Sequence, residues 1–416
     1  MIKRFIYSEL ANHLQEKEIT LITGARQVGK TTLMEKLKSK LLKEKKDVIW
    51  FNLDLERDWS YAETQESLLQ KIRLEKPDGF IYVFIDEIQR KPNAGQFLKG
   101  LYESDANIKL IISGSGSLEL KEKIKESLAG RKRIFELMPV NFFEFAEYKT
   151  KYQYSGRMDK FYKAEPELTI NLLFEYLTFG GYPRVVTETN IKEKIIWLDE
   201  LYQSYIDKDI KTMLDTERVD AYAKVLKLLS INIGNLLNMT ELATKASISA
   251  PTVKNYFWYG EKTFIINLLP PFFKNKNKEL SKSNIVYFND LGLRNYMINN
   301  INIEVVKANS GMLFQNLVYS ILKEKIRHTA FTIHYWRSTN QAEVDFVISS
   351  GLKIIPVEVK GKKLKKDEIG RSLYSFCEKY LVPVTYIVNF NYKSEIIKNN
   401  CRFVFLPFWE INEIKI

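Results

Sequence analysis

Two sets of residues in this chain have types and spacings suited to phosphate chemistry. The first is "GARQVGKT", Gly24 to Thr31, which fits G-x-x-x-x-G-K-[ST]. In that pattern Gly24 and Gly29 let the backbone wrap, so that the N–H groups of Ala25, Arg26, Gln27, Val28, Gly29, Lys30, Thr31 and Thr32 can turn toward phosphate oxygens. Lys30 places a point charge between the β- and γ-phosphates of ATP, and Thr31 offers a hydroxyl to Mg2+. Downstream, "IYVFIDE" ends a buried strand with Asp86, a magnesium partner through water, and Glu87, placed to polarise an attacking water. The plainer alternative is an exposed acidic pair at a strand end. "IISGSGS" then sets Ser113 and Ser115 where a hydroxyl can sense the γ-phosphate, though a Ser/Gly turn after a strand is also simply a turn.

The second set lies in "EVDFVISSGLKIIPVEVKGK", residues 343 to 362. Two adjacent strands there would join Asp345 to Glu358 and Lys360. Residues two apart in a strand share a face, so Glu358 and Lys360 point the same way. Two carboxylates can hold a divalent metal, and the lysine can orient water or stabilise a charged transition state. A buried ion pair without catalysis is the competing interpretation.

The elements that must position these residues follow from the hydrophobic pattern. Strand and helix signals alternate over the first third, which implies a parallel α/β sheet. "DVIWFNLD" and "FIYVFIDEIQ" are continuous apolar runs, as in strands covered on both faces. The pattern turns helical from about Tyr148. Around "MTELATKASISAPTVKNYF" it reads as two helices with a tight turn. Thr240 is the expected cap of the first and Ser249 of the second, with Thr252, Lys254 and Asn255 facing outward as groove-contacting types. Two strands joined by the lysine-rich "KNKNKELSK" complete a winged-helix pattern that suits DNA, or equally a packing platform or partner-binding lid. The last quarter reads as an amphipathic helix, "GMLFQNLVYSILKEKI", then three strands, a helix around "KKDEIGRSLYSFCEKY" and another strand.

"TGARQVGKTTL", "IDEIQ", "SLAGR" and "FGGYPRVV" together resemble the AAA-type ATPases of archaea and bacteria that carry a C-terminal domain of unknown function. The resemblance spans essentially the whole chain. It implies ATP and Mg2+ as cofactors, and it implies that Pro183 of "GGYP" contacts adenine. Arg131 and Arg133 precede an apolar strand, and an arginine delivered to the γ-phosphate accelerates hydrolysis. The sequence leaves open whether Arg131 reaches this site, a neighbour's site in an oligomer, or solvent. The helix–three strands–helix–strand order is that of the restriction-endonuclease-like PD-(D/E)XK fold, with Asp345 and Glu358 as metal ligands and Lys360 beside them. Active members of that fold often add a carboxylate from the first helix, where this chain has Gln315, an amide that would hold a metal less strongly.

Composition bounds these readings. The 416 residues suggest several domains, and apolar residues at 45% can build cores. Two cysteines and three histidines offer no metal-spaced cluster and no disulfide framework. No apolar run reaches the ~18 residues of a membrane helix, and no secretory signal stands at the amino terminus, so a cytoplasmic protein without membrane contact is expected. The net charge of +12 favours a polyanionic partner. The expected architecture is α/β: a P-loop NTPase parallel sheet (1–147), a helical lid (148–229), a winged helix (230–292) and a restriction-endonuclease-like α/β domain (293–416). The expected function is Mg-dependent ATP hydrolysis acting on DNA, the alternative being a nucleotide-dependent signalling switch that binds a protein partner through an inactive nuclease fold.

Overall fold

A short helix, Ile6–His13, leads into β1, Ile19–Gly24, whose side chains are all buried. The computed structural model describes residues 1–115, 128–206, 216–273 and 283–416, with only the backbone at 115, 216 and 217. Four further strands join β1: β2 (Val48–Asn52), β3 (Ile81–Asp86), β4 (Ile108–Ser115) and β5 (Lys132–Leu137). Their order is β2-β3-β4-β1-β5, and every pairing is parallel. β1 and β3 are buried along their whole length because both sheet faces are covered. Leu21, Val83 and Leu110 pack on one face, while Ile22, Phe84 and Ile111 pack on the other. Parallel pairing puts the ends of β1 and β3 on one edge, with Ser113 of β4 between them. That edge is where an open α/β sheet receives ligands.

The second face continues without a break into the helical region, where the helices Phe142–Lys149, Pro166–Phe179 and Ile191–Ser204 extend the same apolar cluster. Asn141 starts the first of these in a reciprocal cap with Glu144. Helices Met239–Ala246 and Ala250–Lys262 follow, then an antiparallel hairpin of β6 (Ile266–Leu269) and β7 (Ile285–Phe288). Leu242, Ala243, Ala246, Val253 and Tyr256 are buried, and Lys254 and Asn255 are exposed, as the pattern required. Ser249 caps the second helix. The first is capped by Asn238, not Thr240: the helix starts at Met239, and the Asn238 side chain accepts the Glu241 N–H. The lysine-rich connection at 274–282 lies outside the described residues.

The C-terminal sheet is built from β8 (Thr332–Arg337), β9 (Glu343–Ser350), β10 (Lys353–Lys360), β11 (Val384–Asn389), β12 (Ser394–Lys398) and β13 (Cys401–Pro407). Its order is β12-β13-β11-β10-β9-β8, with the helix Gly311–Lys325 before it and Arg371–Tyr380 crossing from β10 to β11. The expected helix, three strands, helix and strand are therefore present. Two differences have local causes. The second helix begins at Arg371, with Gly370 as its extended cap, so the lysine-rich stretch before it stays non-helical. The hairpin β12–β13 has no clear sequence signal, because β12 is a mostly exposed edge strand with no apolar period. Among the described residues, no helix is long and apolar enough to cross a membrane.

Candidate functional site

The loop after β1 needs its glycines for different reasons. At Gly24, φ is 152° and a Cβ would stand 2.1 Å from the Leu137 carbonyl oxygen, so only a residue without a side chain fits against β5. Gly29 takes φ 94° and caps the helix Lys30–Lys43, turning the chain into a helix N-terminus. Gln27 is also left-handed, at φ 57°. Lys30 is buried, and its ammonium donates to the carbonyls of Ala25 at 2.7 Å and Gly24 at 3.2 Å. The side chain thus curls back over the loop, inside the rim that would surround a phosphate chain.

Asp86 completes the edge. Thr31 donates its hydroxyl to one Asp86 carboxylate oxygen at 2.7 Å, and Ser113 donates to the other. The Glu87 N–H also donates to Asp86, at 3.1 Å. Glu87 itself is left-handed (φ 59°, ψ 42°), a conformation that costs a non-glycine residue about 1 kcal/mol or more. That turn breaks β3 and carries the Glu87 side chain to a cavity of about 500 Å³, where Gln89 donates to its carboxylate. Gln27 through Thr32 line the cavity from one side, and Pro183 and Arg184 line it from another. The residues present fit a magnesium nucleotide: a hydroxyl and a carboxylate already in contact, a buried ammonium, and beside them a helix start that carries no side-chain cap.

Arg131 is not part of this arrangement. The Arg131 carbonyl accepts the Ile19 N–H, which places the residue at the beginning of β5, and parallel pairing sends that end away from Gly24. Its guanidinium pairs with Glu103 at 2.7 Å. The arginine therefore does not reach this chain's own cavity. Ser115 pairs with Gly24 through its backbone, and its side chain lies outside the described residues. Seven cavity residues lie outside the set derived from the sequence: Met1, Ile2, Arg4, Leu33, Lys36, Arg184 and Thr187. Arg184 directly follows Pro183 and lies over the Trp197 ring at 4.2 Å, so adjacency was an available signal. The amino-terminal three carried none.

At the second set, the two strands bring the residues together as expected. β9 and β10 pair up to Val357 and Phe346, and Glu358 and Asp345 stand one step further along that antiparallel register. Both Asp345 oxygens are engaged: Gln315 donates its amide to one at 2.7 Å, and the Val359 N–H donates to the other at 2.6 Å. Lys360 is bound to one Glu358 oxygen at 3.0 Å, and the other Glu358 oxygen is buried without a hydrogen bond. Asp345 is partly exposed as a residue but its carboxyl group is enclosed; burial and the neighbouring Glu358 carboxylate push it well above the usual carboxylate range. Among the described residues, no three or more His, Cys, Asp or Glu side chains converge as a metal-binding group.

Residues 16–146 match the family model of an AAA domain. Residues 170–304 and 310–411 match two domains of unknown function, DUF8612 and DUF4143. An uncharacterised protein of Methanocaldococcus jannaschii is 29% identical over 353 residues, covering 83% of this chain and 75% of its own length. An uncharacterised protein of Mycobacterium tuberculosis is 23% identical over 376 residues, covering 90% and 76%. Among solved structures, Cdc6p of Pyrobaculum aerophilum overlaps 73% of this chain and 97% of its own at 12% identity, with a TM-score of 0.30, too slight a likeness to carry an argument. The loop geometry, the parallel sheet and the matched domain support an AAA-type, nucleotide-binding P-loop ATPase as the class of this protein.

Proposed function

We propose that this protein binds ATP with Mg2+, hydrolyses it, and uses the nucleotide state to reposition DNA-contacting units. The observation that carries the reading is the Thr31–Asp86 hydrogen bond at 2.7 Å, beside a buried Lys30 and a Glu87 turned to the same cavity. Thr31 and Asp86 would hold the magnesium ion, whose charge offsets that of the phosphates. Lys30 and the N–H groups of the loop bind and orient the phosphate chain. Glu87 accepts a proton from the attacking water, a role that a protein built only to bind nucleotide does not need. Pro183 lies against the base. In this reading residues 1–147 and 148–229 enclose the nucleotide. A winged helix at 230–292 and a nuclease-like unit at 293–416 meet the DNA, through exposed Lys254 and Asn255 and the exposed lysines 362, 363, 365 and 366.

For the second site the proposal is backbone binding without cleavage. Donors already engage both Asp345 oxygens, and the helix residue above them is a neutral Gln315. The test is ATP turnover by protein freed of nucleic acid, with and without duplex DNA over a salt series, beside Lys30→Ala. Stimulation by DNA that fades with salt supports the reading. Turnover insensitive to DNA, with ADP retained through purification, would replace it with a switch that binds protein. Cleavage of supercoiled DNA in Mn2+ that Asp345→Ala abolishes would overturn the proposal for the second site.

A further inference from the structure

We infer that Arg4 is a positioning residue of the nucleotide site, holding the phosphate loop in register with the opposite cavity wall. Its guanidinium is enclosed, with the side chain 10% exposed, and makes four contacts. It donates to Glu144 at 2.9 Å, to the Val28 carbonyl at 3.1 Å, to the Met138 carbonyl at 2.6 Å and to the Pro139 carbonyl at 3.3 Å. The Val28 carbonyl matters most. Val28 lies between Gln27 and Gly29, both left-handed, where the loop makes its tightest turns. In a trans peptide the carbonyl and the following N–H point in opposite directions. Anchoring the Val28 oxygen on Arg4 therefore aims the Gly29 N–H away from the guanidinium and fixes the peptide that leads into the Lys30 helix.

The other contacts tie this loop to the far wall. Met138 and Pro139 follow β5, and the next residue, Val140, donates its N–H to the Gly181 carbonyl at 2.8 Å. Gly181 belongs to the turn that presents Pro183 and Arg184. Tyr176 donates its hydroxyl to the Val140 carbonyl at 2.8 Å, holding that bridge from the helix Pro166–Phe179. Glu144 fixes Arg4 in turn: it is buried, accepts the Phe5 N–H at 2.6 Å, and is locked into the cap at Asn141. One guanidinium thus spans the amino-terminal segment, the phosphate loop and the link to the Pro183 turn. A lysine could supply the charge but not the planar fork that meets several oxygens at once.

This inference deepens the ATP reading and depends on it. The test measures binding of a fluorescent N-methylanthraniloyl ATP, together with thermal unfolding, in wild type, Lys30→Ala, Arg4→Ala and Arg4→Lys. Arg4→Ala is expected to weaken binding by about 10- to 100-fold, and Arg4→Lys by about tenfold, because the loop loses its fixed geometry. Measured well below the melting transition of Arg4→Ala, where the variant is fully folded and a loss of stability alone would leave affinity unchanged, millimolar ethylguanidinium should restore its binding and leave wild type unchanged. If Arg4→Ala does not fold, the Arg4→Lys comparison decides alone. Affinity in the folded variants within about twofold of wild type would overturn the inference, as would a loss that ethylguanidinium leaves unchanged. Wild type binding no better than Lys30→Ala would instead bring down the ATP reading, and this inference with it.

Discussion

The two phosphate-suited regions of this molecule are built on opposite plans. At the phosphate loop, much of the geometry is backbone: two left-handed residues flank Val28, a helix starts at Lys30, and a strained Glu87 breaks its strand. Lys30, Thr31 and Glu87 hydrogen-bond to protein neighbours there too, but all three also line an open cavity. At Asp345 the groups have turned to one another: the carboxylate is held by Gln315 and Val359, and Lys360 is bound to its strand neighbour Glu358. Bringing the right residue types together is therefore not enough to make a site. Donors and acceptors that satisfy each other form a stable polar cluster, and such a cluster is arranged for a ligand only where its members also border shared open space.

The most direct way to break this comparison is Glu87→Gln. ATP binding should persist while turnover falls by about a hundredfold or more, read by calorimetry beside steady-state rates. Unchanged turnover would remove Glu87 from its role and leave the cavity a binding site only.

A second test concerns the buried carboxylate that holds the cavity wall. Asp290 accepts the Gly181 N–H at 2.7 Å and the Leu293 N–H at 2.8 Å. Burial raises it from the ordinary 3.8 to about 6, against the pull of these backbone donors. The folded state therefore binds this proton more tightly than the unfolded chain. The resulting stability is present at low pH and is lost as pH rises through that window, by about 3 kcal/mol at most. Asp290→Asn removes the charge, so its melting temperature relative to wild type should rise steadily between about pH 4 and pH 7. His13, lowered to about 4 mainly by burial, gives the opposite slope but is common to both proteins and cancels. A difference independent of pH would remove the assigned cause.

The smallest expected effect would sharpen the contrast at the second region. Gln315→Glu deletes the donor to Asp345 and sets a third carboxylate there, costing about 1–3 kcal/mol without metal. Millimolar Mn2+ should then raise the variant's melting temperature more than the wild type's. Equal responses would mean that the cluster is closed to metal even with three carboxylates.

Much of this was legible in the sequence because it is local. The phosphate loop depends on eight consecutive residues whose glycines, lysine and threonine impose their own backbone path. Asp86 follows from the end of an apolar run, and the alternation of β9 and β10 was enough to put Glu358 and Lys360 on one face. The cap at Ser249 was likewise readable from its own neighbours, whereas Asn238 displaced Thr240 by a shift of the helix start that periodicity does not resolve. Tertiary structure decided whatever depends on direction or on distant partners. Arg131 precedes a strand that runs parallel to β1, so strand direction alone carries it to the wrong edge of the sheet. Arg4 meets acceptors 24 to 140 positions away, and no local pattern announces them. The Gln315 amide was visible as a departure in charge, but only the packing of its helix over β9 turned that amide onto the Asp345 carboxylate. Local backbone chemistry is encoded in the order of residues; which groups end by satisfying one another is settled where the elements meet.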